Sequence, residues 1–229
     1  LVKALEENGL RERTIIIFTT DNGSGGGITG TMNGVKIRGG KAKESENGIC
    51  QPFIVNCPGK VPQGAETDAL TDFSDLLPTF VELGGGKVPS DLTIDGSSIA
   101  PLILGKSKDS TREWIMALGH GPAKLDQDGV RGIKDFATRV IRDKQFKVWI
   151  SSEKKIIRLH DLKADPLEKS NLITSQDANH IAAIKKFQKV LDSMPDKDAR
   201  PLYTPRAANP WDKKSGPRKK KKKAARAQQ

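Results

Sequence analysis

The segment Thr14-Ile15-Ile16-Ile17-Phe18-Thr19-Thr20 constrains this chain most. It is continuously apolar and β-branched, the pattern of a strand buried on both faces of a parallel sheet. It stops abruptly at Asp21-Asn22-Gly23 and opens into a loop holding Gly25, Gly26, Gly27 and Gly30. In open α/β sheets, ligands bind just beyond the carboxyl ends of such strands. A carboxylate beside a carboxamide offers two hard oxygens, suited to Ca²⁺ or Mg²⁺. The same three residues also make an ordinary Asp-Asn-Gly turn. Taken alone, the segment leaves both readings open.

The flanking residues extend the α/β pattern. Val2 to Asn8 reads as the end of an amphipathic helix stopped by Gly9. Phe53-Ile54-Val55-Asn56 reads as a second strand, closed by Cys57-Pro58-Gly59. Thr71 to Leu83 reads as a helix capped by Thr71 or Ser74 and stopped by Gly84. With Ser74 as the cap, Pro78 falls past the first turn and bends the helix. Alternating strands and helices predict an α/β layer structure. After Gly105 the texture changes. Segments 136–141, 146–150 and 155–162 are short strands separated by polar turns, the pattern of an antiparallel meander. A helix over about Ala178 to Met194 places Ile181, Ile184, Phe187, Val190 and Leu191 on one face. Trp114 and Trp149 read as core residues. The chain thus divides into 1–105, 106–196 and a Pro-containing, Lys-rich tail over 197–229, expected to be disordered.

Charge belongs to that tail. The formal net charge is +11, but the segment from Asp212 onward carries nine positives and one negative, leaving only +3 on the preceding 211 residues. A run such as Arg218 to Lys223 can bind polyanions by counterion release. It has no interleaved aromatics, which counts against a nucleic-acid stacking groove. A solvated tail without a dedicated partner is the other reading. The two cysteines, Cys50 and Cys57, flank a strand that would hold them roughly 23 Å apart. A disulfide requires Cα atoms within about 7 Å, so these two are expected to stay unpaired. No apolar run approaches the ~18 residues of a membrane-crossing helix.

A second chemical motif is Arg38-Gly39-Gly40-Lys41, followed by Glu46-Asn47-Gly48. A lysine on a glycine-rich loop can present a point charge to an anion, or be merely solvated. The phosphate-binding G-x-x-x-x-G-K-[ST] pattern is absent.

In order, these segments resemble the sulfatase family of the alkaline-phosphatase-like superfamily. The resemblance rests on Ile16 to Gly23, Arg38 to Lys41, and Glu46 to Ile49 leading into Pro52 to Val55. It continues through Pro58-Gly59, Asp75 to Thr79, and Asp95 to Gly105. It ends with Leu159 to Leu162, Asp165 to Glu168, and Asn171-Leu172. It implies an alkaline-phosphatase-like sheet flanked by helices, with a small C-terminal antiparallel sheet and one helix. It implies sulfate-ester hydrolysis in the full-length enzyme, with Asp21 and Asn22 as ligands of Ca²⁺ or Mg²⁺ and Lys41 on the sulfate. His120 stands either at the rim of the substrate pocket or as a plain loop histidine. Arg139 and Lys147 match a structural Arg/Lys pair of the family's C-terminal strands. Substrates would be sulfate esters, sulfated polysaccharides among them, and the compartment periplasmic or extracellular.

Departures accompany the match. Asn47 replaces a family glycine, and Cys50 stands where an arginine is usual. The formylglycine motif, Cys/Ser-x-Pro/Ala-x-Arg, does not surround Cys50 or Cys57. The chain also opens at Leu1 inside a helix. The expectation is therefore a C-terminal portion, inactive by itself. A catalytically inactive remnant, a basic-tailed binding protein, and a phosphodiesterase or phosphatase of the same superfamily are the alternatives.

Overall fold

The structure is a computed structural model that describes residues 1–198 except 33, 120–122, 127, 128 and 133. Helix α1 (Val2–Glu7) ends at Asn8, and Gly9 follows at φ +64°, the left-handed position glycine adopts without steric cost. Strand β1 (Ile16–Thr19) comes next, then a hairpin of β2 (Thr29–Met32) and β3 (Val35–Arg38). One short helical turn, α2 (Glu46–Ile49), leads to β4 (Phe53–Asn56).

The described residues correct the expectation for β1. It is not a parallel strand with both faces buried. It pairs antiparallel with β4, Phe18 opposite Ile54, and both of those side chains are more than half exposed. The physical reason is visible in β4, where Phe53 and Val55 are half-buried while Ile54 and Asn56 face outward. An apolar run without alternation does not reveal whether both faces are covered within the same chain.

Helix α3 (Leu76–Leu83) is preceded by a 3₁₀ turn over Phe73–Asp75. That turn is capped by Asp72, not Thr71 or Ser74, and α3 itself starts after Asp75, which makes no side-chain cap bond to it. The Asp72 side chain accepts from the Ser74 N–H, while the Asp75 carboxylate accepts from the Asp72 N–H, a reciprocal capping box. Because α3 starts only at Leu76, Pro78 falls in its first turn, where its missing N–H breaks no bond, and the expected bend has no cause. Asp75 is fully buried, bonded to the Arg112 guanidinium and to the Ser97 N–H. Helix α4 (Ala100–Ile103) follows, ending before Gly105 at φ +69°.

The antiparallel meander forms as expected and gains a fourth strand. The sheet runs β10 (Ile156–Asp161), β9 (Phe146–Ile150), β8 (Arg139–Arg142), β5 (Ile115–Leu118). A separate hairpin joins β6 (Ala123–Asp126) to β7 (Gly129–Gly132). Helix α5 (Ala178–Asp192) is capped by Asp177, whose carboxylate accepts from the Asn179 and His180 N–H groups. It lays Ala183, Phe187 and Leu191, four residues apart, against Ile141, Val148, Ile150 and Leu159. Each of these side chains larger than alanine contributes about 1.5–3 kcal/mol by leaving water.

Candidate functional site

Asp21 and Asn22 follow directly on β1. Among the described residues neither side chain has a hydrogen-bond partner, although Thr20 Oγ1 donates to the Asn22 carbonyl. An ordinary Asx turn would engage the side chain with nearby backbone N–H groups, and that bond is missing. The Gly23 N–H donates to the Gly48 carbonyl at 2.9 Å. A Cβ on Gly23 would overlap the Asn47 carbonyl oxygen, so only glycine allows the two loops to approach this closely.

The Gly39-Gly40-Lys41 loop closes on the same point. The Lys41 N–H donates to the Ser24 carbonyl at 3.0 Å and the Gly40 N–H to the Asn47 carbonyl at 3.2 Å. Lys41 itself is exposed. Ala42 stands at φ +68°, a conformation that L-residues other than asparagine and aspartate rarely adopt. The structure thus joins the turn at 21–24 to two consecutive segments some fifteen or more residues later, 39–43 and 44–48.

A cavity of about 610 Å³ opens beside them, lined among others by Asp21, Asn22, Glu46, Cys50, Asp68 and Arg142. Lys41 is not part of its lining, and His120 lies outside the described residues. Both cysteines are free. Desolvation raises the Cys50 thiol above its usual value, and the Glu46 carboxylate adds to the rise. A nucleophilic cysteine needs the opposite shift, toward thiolate.

Behind the loops lies an ion cluster to which the sequence reading gave no site role. Lys147 on β9 is completely buried. Its Nζ donates to the Glu44 carbonyl at 2.6 Å, to Glu46 Oε1 at 3.1 Å and to Glu168 Oε1 at 3.0 Å. Glu168 Oε1 also accepts from the Glu46 N–H at 2.6 Å, and Oε2 from the Trp149 indole at 3.1 Å. Arg142 on β8 pairs with the other oxygen of Glu46. Two cations meet two carboxylates, and every ammonium proton of Lys147 has an acceptor.

Residues 41–197 match the family model described as N-sulphoglucosamine sulphohydrolase, C-terminal. The chain belongs to the sulfatase family. Human arylsulfatase D is 38% identical over 122 residues, which are 50% of this chain and 20% of that protein. Human arylsulfatase A is 37% identical over 145 residues, 61% of this chain and 26% of that one. This sulfatase chain thus spans about a quarter or less of those relatives. Its fold is that of solved sulfatases. A 2-O GAG sulfatase aligns over 83% of this chain and 38% of its own, with a TM-score of 0.61 at 23% identity. A structure solved with its substrate, D-glucosamine-2-N,6-O-disulfate, aligns over 86% and 39%, with a TM-score of 0.61 at 24% identity.

The donor set here fits a divalent cation in part. Asp21 and Asn22 contribute two uncommitted hard oxygens, whereas Ca²⁺ takes six to eight. Among the described residues no group of three or more His, Cys, Asp and Glu side chains is placed to hold a metal ion. Glu46, a further carboxylate of the cavity wall, is committed to Arg142 and Lys147.

Proposed function

We propose that these residues form part of the active site of a sulfatase that hydrolyses sulfate esters, with Asp21 and Asn22 as ligands of a divalent cation, Ca²⁺ in the first instance, and Lys41 as a contact to the sulfate. One observation carries the reading: an Asp-Asn pair at a strand end, with both side chains uncommitted, sits within backbone-bond reach of a Gly-Gly-Lys loop in a chain of this family. A bound cation would polarise the sulfuryl oxygens as a Lewis acid. Lys41, fixed by its own N–H to Ser24, would place a compact positive charge on an oxygen of the same group and hold it as charge develops. The attacking group is assigned outside these residues, because neither Cys50 nor Cys57 carries the formylglycine context and the Cys50 thiol is shifted the wrong way. We assign the substrate to sulfated glycans, on the strength of the disulfated glucosamine bound by a structural neighbour.

The test is aryl sulfate turnover by the native full-length protein. Lys41→Ala should lower kcat by roughly 10²–10³, the loss typical of removing one charge-stabilising donor. Asp21→Ala should abolish turnover, and excess chelator should reproduce its effect in the wild type. Turnover unaffected by either substitution, or faster turnover of aryl phosphate than of aryl sulfate, sinks the assignment. No turnover in the wild type would instead favour an inactive remnant.

A further inference from the structure

The buried cluster of Lys147, Glu168 and Glu46 lies one layer behind the loops just described. We infer that Lys147 and Glu168 are positioning residues: through Glu44–Gly48 they hold the Asp21-Asn22 turn and the Gly40-Lys41 loop in one geometry. The inference rests on the reading of those two segments as the active site.

Three observations carry it. First, the chain of contacts is continuous and short. Lys147 and Glu168 hold residues 44 and 46 by three hydrogen bonds, and a fourth joins the two to each other. From there, the Gly48 carbonyl accepts from the Gly23 N–H, directly after Asn22. The Asn47 carbonyl accepts from the Gly40 N–H, directly before Lys41. Asn47 Nδ2 donates in turn to the Arg38 carbonyl at 2.6 Å.

Second, the cluster is anchored beside the apolar core of the described residues. Lys147 lies between β8 and β10, and its chain neighbour Val148 is part of the apolar core. The loops themselves have no such anchor. Lys41, Ala42 and Lys43 are exposed and bury no apolar side chain.

Third, Glu168 is held in a left-handed backbone conformation, φ +53°, that a residue with its side chain rarely takes. Such strain persists where surrounding bonds over-determine it. Here they are the bonds of the Glu168 carboxylate to Lys147, Glu46 and Trp149. A glycine at 168 would suit the backbone but leave the Glu46 N–H and the Trp149 indole without an acceptor and take one of three acceptors from Lys147.

The test uses amide hydrogen exchange on the full 229-residue chain, which needs neither metal nor substrate. The probes are the N–H groups of Gly23, Gly40 and Lys41. Lys147→Met and the gentler Glu168→Gln should each speed exchange at these three by at least about tenfold, and leave the amides of β8, β9 and β10 protected. Equal acceleration across those strands would mark a purely structural role and overturn the inference, as would unchanged exchange at the three loop amides. A Ca²⁺ titration followed at the Asn22 side-chain amide adds a second readout. Both variants should weaken binding about 10–100-fold, the usual effect of removing an outer-shell partner. If the wild-type chain shows no Ca²⁺ response while the exchange result holds, the metal assignment fails and the positioning role stands.

Discussion

His160 shows what a single buried side chain can impose. It lies on β10 opposite Lys147, almost fully buried, and neither ring nitrogen has a hydrogen-bond partner among the described residues. Burial lowers its pKa below the ordinary 6.5, against the opposing pull of the Glu168 carboxylate, while the Lys147 ammonium adds to the fall. The unfolded chain therefore takes up a proton near pH 6.5 and the folded protein only at lower pH. Stability from this residue is intact above pH 6.5 and declines as pH falls below it. The decline ends once the folded value is passed. His160→Leu should flatten that slope between pH 7.5 and 5 in urea denaturation, because it removes the group whose protonation differs between the folded and unfolded chain. An unchanged slope would show that other groups set it. At this scale the sequence was legible where a residue stands beside its own chemistry, as Asp21 does beside Asn22. Glu168 shows in the sequence only as the end of Asp165-Pro166-Leu167-Glu168, because its partners are 122 and 21 residues away. Neither periodicity nor spacing carries a pairing of that kind.

At the scale of elements, position was easier to read than direction or capping. The strand at 53–56 and the helix from Ala178 agree with their expected places, because alternation and a 3.6-residue period are local signals. Strand direction is a property of the partner, so β1 could be placed but not oriented. Capping failed for a related reason. Thr71, Asp72 and Ser74 all suit a cap, and what selects Asp72 is the reciprocal bond from its N–H to Asp75. That bond also aims Asp75 at Arg112. Asp72→Ala should cost about 1 kcal/mol, the usual value of an N-cap. Asp75→Ala should cost more, about 3–5 kcal/mol, because it strands a half-buried guanidinium. Equilibrium denaturation of the two variants checks the order, and equal losses would mean the capping box and the ion pair act as one unit.

At the scale of the molecule, the apolar surface is unevenly covered. Sheet β10-β9-β8-β5 has α5 over one face, whereas β1–β4 is a two-stranded ribbon whose Phe18 and Ile54 point outward side by side. Each of those strands also keeps one edge unpaired among the described residues. An apolar ribbon with open edges is a template for further strand pairing. The structural neighbours align with most of this chain but with under two-fifths of their own length, so in them the matched region is packed within a larger body. Electrostatic repulsion offsets this exposure only weakly, because most of the net charge sits beyond Asp212, away from the ribbon in sequence. The 229 residues alone should therefore self-associate through β1 and β4, with an apparent mass that rises with protein concentration. Phe18→Ser combined with Ile54→Thr should return sedimentation velocity toward the 24.9 kDa of a single chain without slowing amide exchange in β1. A wild-type chain that stays monomeric at high concentration would show that the ribbon is shielded, and association unaffected by the double substitution would place the contact elsewhere.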